Sequence, residues 1–557
     1  MSVHAGTPML SARQLRLLMF GLMTGMLLAA LDQTIVGTAL PTIVGELGGI
    51  DHYSWVVTAY LLASTASTPL YGKMADLYGR RPVFLFSIGT FLLGSLLAGL
   101  SQDMTQLIVT RGVQGLGAGG LMTLAFTIIS DVVSPRERGR YQGLFGAVFG
   151  LSSVAGPLVG GYFAETNWRW IFYINVPLAI LAIVVCYHVM RLIPFERREH
   201  AIDWLGAGLL VAGVSCVLLA LSWGGTTYPW RSGLIVGLFV AGVVLGALFV
   251  LQEARVAEPI LPLRLFRSAT FALANSAGFV LGLVMFGSII FIPLYLQIVK
   301  GASPTRSGLL MLPMMAGIIV TSILTGRAMS RIGRYKWFPV AGSAVLVAGM
   351  LLFRQLQVAT SLWVAFGYMV VIGVGLGLCM QSLILAVQNA VSSRDLGAGT
   401  SSATFFRSLG GSFGVAILGA VLSSQLKGQL ADRLPAAIGQ LPPDQRAAVT
   451  AAGGTNISIN DPATILALPG PVRAAIQASF VESLHLVFLT TGLIAILAVL
   501  VTLALPNREL RGAGPQGATG GADPLGGKAA APGGKPLPKE SKDEAAAEME
   551  AKSQTML

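Results

Sequence analysis

Gly72-Lys73-Met74-Ala75-Asp76-Leu77-Tyr78-Gly79-Arg80-Arg81 separates two long apolar stretches of the chain. Its pattern returns as Gly326-Arg327-Ala328-Met329-Ser330-Arg331-Ile332-Gly333-Arg334, again after an apolar stretch. Both copies fit G-x-x-x-[D/S]-x-x-G-R. A weaker echo pairs Arg136-Glu137-Arg138-Gly139 with Arg394-Asp395-Leu396-Gly397, each ahead of a glycine-rich segment. Internal duplication in a chain with many membrane spans points to a transporter whose two halves move about a central site.

The composition supports a membrane chain. Of 557 residues, 54% are hydrophobic and 11% charged, and the mean hydropathy is +0.73. Soluble domains carry about 25% charged residues, so there is too little polar surface here to coat them. Apolar dominance excludes disorder for the bulk. Three cysteines, all in apolar runs, exclude a disulfide scaffold. The first span is no cleavable signal peptide, because it contains Asp32 and leads straight into further spans.

A bilayer crossing needs roughly 20 apolar residues. Fourteen stretches qualify: about 16–38, 53–71, 83–101, 106–130, 141–163, 171–190, 204–222, 233–251, 271–298, 308–326, 338–356, 361–386, 398–422 and 484–505. The expected fold is an all-α polytopic membrane protein in a six, two and six arrangement. Residues 1–15 form the N-terminus and 16–190 the first bundle. Residues 191–260 form a linker with two extra spans, and 261–505 the second bundle with a long external loop at 424–482. Residues 506–557 read as a disordered tail. The loop contains a weak glycosylation triplet, Asn456-Ile457-Ser458.

Basic residues in short loops set the orientation. One side has Arg13, Arg16, Lys73, Arg80, Arg81, Arg138, Arg191, Arg255, Arg264, Arg331 and Arg394, among others; the other has Arg169, Arg231, Lys300 and Arg306. The first side is expected in the cytoplasm, with both termini. The net charge of +12 then marks orientation, and no nucleic-acid partner is expected.

Few charges fall inside the spans. Asp32, Arg111 and Arg407 do, and each is costly in lipid unless it faces the bundle interior, a wet cavity or a partner. Asp32 is the candidate for taking up and releasing a proton, with a structural ion pair as the plain alternative. Arg111, followed by Gln114 and several glycines, could tune that release or clamp two helices. Glu165, at the outer end of span 5, is a candidate second proton or cation site. Gln114 and Arg407 are candidates for cavity lining or helix pairing. Asp76, Arg80 and Arg81, between Gly72 and Gly79, suit a latch that breaks on opening, as do Gly326, Gly333 and Arg334 in the second copy. Gly143, Gly156, Pro157, Gly160 and Gly161 permit close packing and a kink in span 5. No Walker motif and no metal spacing occur, so neither ATP nor a metal is expected as a cofactor.

Together these stretches resemble the major facilitator superfamily, in particular its fourteen-span drug:proton antiporter branch of QacA-like and EmrB-like efflux proteins. Leu31-Asp32-Gln33-Thr34-Ile35-Val36-Gly37-Thr38-Ala39-Leu40-Pro41 resembles the branch's span 1 signature. Gly72 to Arg81 resembles the gating loop, and Arg111 to Gly117 the span 4 motif whose arginine is linked to proton transfer. Span 5 resembles the antiporter motif G-x8-G-x3-GP-x2-GG, with Ser152 at the middle glycine. Asn167 to Pro177 resembles the start of span 6. The resemblance covers about residues 15–505.

It implies a proton-coupled antiporter that exports hydrophobic or amphiphilic compounds, cationic ones included, from the bacterial inner membrane. A monomer is expected to suffice, and an envelope lipoprotein is weighed as a partner. The alternative is a dedicated exporter of a secondary metabolite or envelope lipid. A non-transporting receptor or scaffold has no use for Asp32, Arg111 and Gly156-Pro157 inside spans. No nucleophile–base set argues for an enzyme.

Overall fold

The computed structural model describes residues 11–47, 53–191, 203–225, 227–451 and 468–510. The tail 512–557, the triplet at 456–458 and residues 1–10 lie outside them. Among the described residues the chain is helical, apart from two isolated backbone bridges. The first half comprises α1 (Ala12–Leu47), α2 (Tyr53–Tyr78), α3 (Arg80–Gly99), α4 (Met104–Val132), α5 (Pro135–Thr166), the short α6 (Trp170–Tyr173) and α7 (Asn175–Met190). An inserted pair follows, α8 (Trp204–Trp223) and α9 (Gly233–Glu253). The second half comprises α10 (Ala269–Leu294), α11 (Pro304–Leu310), α12 (Leu312–Ile332), α13 (Trp337–Phe353), α14 (Leu362–Ala390), α15 (Leu396–Gly439), α16 (Pro443–Ala451) and α17 (Gly470–Leu503).

Some helix starts are capped by short polar side chains, which satisfy backbone N–H groups left over in the first turn. Asp103 accepts from the Gln106 amide at 2.8 Å, and Asp203 from the Gly206 amide at 2.9 Å. Twelve of the described helical stretches are long and apolar enough to cross a membrane. The fourteen expected spans include two more, and each falls short for a separate reason. α13 has only 17 residues. α2 has 26, but Ser64, Thr65, Ser67 and Thr68 dilute its hydropathy. Ser64 and Thr68 donate to carbonyls of their own helix at 3.0 and 2.7 Å, which removes part of the cost of burying them.

The expected loop at 424–482 is corrected at both ends. α15 runs without a break through 424–439, and α17 already starts at Gly470. Leu426, Leu434, Ala437 and Leu441 are buried in one cluster with Val472, Ile476 and Phe480. The two helices therefore extend together past the apolar spans, because apolar positions at helical spacing continue on both.

Each half has its own apolar core. The inserted α8 covers the seam between them, where Leu210, Val214 and Leu218 pack with Ala66 of α2 and Phe405 of α15. α9 lies outermost, and its Val236, Val240, Val243 and Val244 form an exposed apolar face suited to lipid.

Across the seam, the two sequence echoes interlock. Gly72 of the first repeat lies against Gly397 and Ser401 of α15. Gly326 of the second repeat lies against Gly139 of α5. Each repeat thus packs on the echo carried by the other half, and a side chain at any of these glycines would collide with backbone or with Ser401 or Asp76. The later glycine of each repeat does different work. Gly79 and Gly333 have φ of 94° and 73°, the left-handed region that only glycine enters cheaply, and there the preceding helix ends.

Candidate functional site

The site forms where α4 threads between α1, α2 and α3. Gly115 and Gly119 of α4 face the α2 backbone at Tyr60 and Ser64, and Gly117 faces α3 at Phe91. Small residues allow these close approaches. They bring Arg111 against α2 and α1.

Arg111 and Asp32 are 1% and 0% exposed. The Arg111 Nη1 donates to Asp32 Oδ2 at 2.6 Å and to Gln114 Oε1 at 2.7 Å. Gln114 Nε2 donates to the other oxygen, Asp32 Oδ1, at 2.8 Å. Asn175 Nδ2, at the start of α7, reaches Asp32 Oδ1 at 3.3 Å and Ser95 Oγ at 2.9 Å. The Arg111 guanidinium lies 4.2 Å from the Tyr60 ring centroid, a cation–π contact. Tyr60 in turn donates to the Ala29 carbonyl at 3.2 Å. A carboxylate is thus held in a dry bundle by one cation and two amides, with an aromatic face as a second partner for that cation. The arginine thus has two attachments, the carboxylate and the ring.

Of the expected coupling residues, the structure brings Asp32 and Arg111 together, with Gln114, the candidate for cavity lining or helix pairing, bonded to both. It does not bring Glu165 to them. Glu165 is exposed at the far end of α5, because the face that α5 turns to α1 is the one carrying Gly156 and Gly160, which lie against Thr34 and Ile35. Asn175, Tyr60 and Ser95 are members the sequence reading does not single out. An asparagine at the mouth of an apolar helix is a signal for the first; a tyrosine and a serine in apolar helices carry none.

The span 5 motif divides among three neighbours. Gly156 and Gly160 face α1, as above. Gly143 faces Ser322 of α12, while Pro157 and Gly161 face Gly308 and Thr305 of α11. α5 therefore seals against its own half and the other half at once. Pro157 has no N–H, so the Ser153 carbonyl loses its helical donor. Ser152, where the motif has glycine, uses its carbonyl to accept from Thr34 Oγ1 at 3.0 Å.

The latch residues also meet partners. Asp76 accepts from the backbone N–H groups of Gly397 and Ala398 at 3.1 and 2.9 Å, at the positive start of α15. Arg80 pairs with Asp76 at 2.6 Å and with Asp131 at 2.7 Å. Arg81 lies over the Tyr187 ring at 4.3 Å. In the second copy Ser330 donates to Gly326 of its own helix at 3.0 Å. Arg334 instead pairs with Glu509 at 2.9 Å, and the Leu510 amide donates to the Gly333 carbonyl at 2.8 Å. Arg407 is buried on α15 and separate from the Asp32 cluster. Among the described residues, no three His, Cys, Asp or Glu side chains converge as a metal site requires.

A family model described as Major Facilitator Superfamily matches residues 22–194 and 185–415. The chain belongs to the Major Facilitator Superfamily. Within it, the chain is 40% identical to multidrug transporter protein MdtP of Bacillus subtilis, over 89% of this chain and 93% of that protein. It is 35% identical to multidrug resistance protein 3 of the same organism, over 89% and 96%. An uncharacterized MFS-type transporter of Mycobacterium tuberculosis is 42% identical over 90% of this chain and 71% of its own. Among solved structures, a proton:xylose symporter shares the fold at a TM-score of 0.55 and 13% identity, covering 90% of this chain and 98% of that one. As a member of the superfamily the protein is a multi-pass membrane transporter.

Proposed function

We propose that the protein is a proton-driven antiporter that exports amphiphilic compounds by alternating access. The observation that carries this is the buried Asp32–Arg111–Gln114–Asn175 cluster. A buried ion pair is a poor way to gain stability, whereas a carboxylate whose cation has a second attachment is well placed to exchange a proton. In this reading Asp32 takes a proton from outside, Arg111 shifts toward Tyr60 and the Val56 carbonyl, and the halves rearrange. Release of the proton inside restores the pair. The relatives named as multidrug transporters favour a broad range of cargo. α2 and α13 complete fourteen spans, and the end that carries Asp76 and Arg80 lies in the cytoplasm with both termini.

The test is efflux from proteoliposomes under an imposed pH gradient, with a panel of fluorescent amphiphiles. Asp32→Asn is expected to abolish gradient-driven transport while leaving downhill exchange. Gradient-driven transport that survives this substitution unchanged rules the coupling role out.

A further inference from the structure

A second buried cation has no fixed counter-ion. Arg407 lies ~16 Å along α15 from its start, at 1.5 Å per residue, and is 7% exposed. Among the described residues it makes no ion pair, and the two helices that wall its surroundings, α10 and α14, contain no Asp or Glu. Its place is set by close packing: Gly410 and Gly414 of α15 lie against Phe279 and Leu283 of α10, and Gly282 of α10 lies against the Arg407 backbone. The side chain lines a small pocket with Leu281, Met380, Leu383, Ile384 and Ala403. The pocket lies within the second half, between α10, α14 and α15, and Ile384 at its edge also packs into the core of the first half.

A guanidinium cannot shed its proton, and burying a charge without a partner is costly. The other buried arginine, Arg111, has Asp32 for that purpose. We propose that Arg407 receives the acidic head, a carboxylate or sulfonate, of an amphiphilic anion carried as cargo, whose apolar body lies along Leu281, Met380 and Leu383. Arg407 is the one polar side chain in that apolar wall and would set the ligand's orientation, while the ligand's body needs the pocket to widen as the halves move. This rests on the exporter reading and narrows its cargo to anions. An anionic lipid presents the same chemistry, so the test separates the two.

The purified full chain in detergent is titrated with a dansyl-labelled undecanoic acid and with the matching alcohol, read by fluorescence. The acid is expected to bind about tenfold or more tightly than the alcohol, from one charge-assisted hydrogen-bonded contact. Arg407→Gln is expected to erase that preference and Arg407→Lys to keep most of it. Equal binding of acid and alcohol to the unmodified protein overturns the proposal, and that comparison needs no variant to fold. So does a preference that persists in Arg407→Gln. In proteoliposomes the acid is expected to cross faster than in protein-free vesicles, and Arg407→Gln to remove the difference. Binding that phosphatidylglycerol displaces, with no such faster crossing, overturns the cargo assignment in favour of a resident lipid. Acid binding and crossing that ignore the pH gradient sink the antiport reading and leave Arg407 standing; a gradient-driven efflux of cations alone does the reverse.

Discussion

At the scale of single residues, the Asp32–Arg111 pair is where the sequence speaks most plainly. A charge inside an apolar helix is expensive, so its presence is a signal without any structure. Its surroundings are not legible, because Asn175 and Tyr60 arrive from helices distant in the chain. Glu165, a boundary carboxylate, stands exposed at the end of α5, away from the Asp32 cluster. Arg111→Gln leaves the Asp32 carboxylate buried without its cation, and breaking a buried pair in this way costs about 3–5 kcal/mol. A lower melting temperature in detergent is the expected result. Asp32→Asn together with Arg111→Gln is expected to cost less than the sum of the two single changes, because no uncompensated charge remains. Strict additivity in the melting data would mean the two side chains are not coupled.

At the scale of elements, the repeat loops could be read from sequence, but their partners could not. The two echoes each looked weak alone. The structure shows that each is the other's docking surface, Gly72 with Gly397 and Gly326 with Gly139. Gly326→Ala places a methyl group against the Gly139 carbonyl, so it is expected to open this end of the seam. The spacing of spin labels on the adjacent ends of α5 and α12 should widen. A second prediction concerns pH. Asp76 lies beyond the apolar part of α2. Burial pushes its carboxyl up from an ordinary 3.8 to about 6, against the pull of Arg80 and the Ala398 amide. Once this end opens, water returns the group toward its ordinary value. The closed form therefore holds the proton more tightly. Its share is expected to rise as pH falls through about 6, with the gain complete below about 4, the ordinary carboxyl value. The same spin-label pair reads this, and Asp76→Asn should flatten the response in that window.

At the scale of the whole molecule, the inserted pair is more than ballast. Glu258, just after α9, pairs with Lys73 of the first half at 2.7 Å and Arg394 of the second at 3.5 Å. Arg264 adds a contact to Asp395 at 2.6 Å. The Lys73–Glu258 pair is half-buried while Arg394 is exposed; exposed pairs are worth about 0.2–1 kcal/mol each, so Glu258→Gln is expected to lower the melting temperature by somewhat more than an exposed pair would. The root of the C-terminal segment is different, since Leu505 and Leu510 are buried and the Asn389 side chain donates to the Glu509 carbonyl at 3.2 Å. Deleting 506–557 is expected to lower the melting temperature relative to deleting 512–557, and equal values would show that this segment contributes nothing. Composition flagged the segment as tail from 506 onward, because a few apolar residues amid polar ones have no periodicity to betray docking.

The unbroken run of α15 past its apolar span turns this helix into a lever. Its extension over 424–439 amounts to about 24 Å at 1.5 Å per residue. If the second half rotates by about 15°, the order of known rigid-body switches, the tip swings by roughly 6 Å. A dye on the tip would then report each transport cycle, and an antibody fragment clamped there would stall it without touching the cargo path.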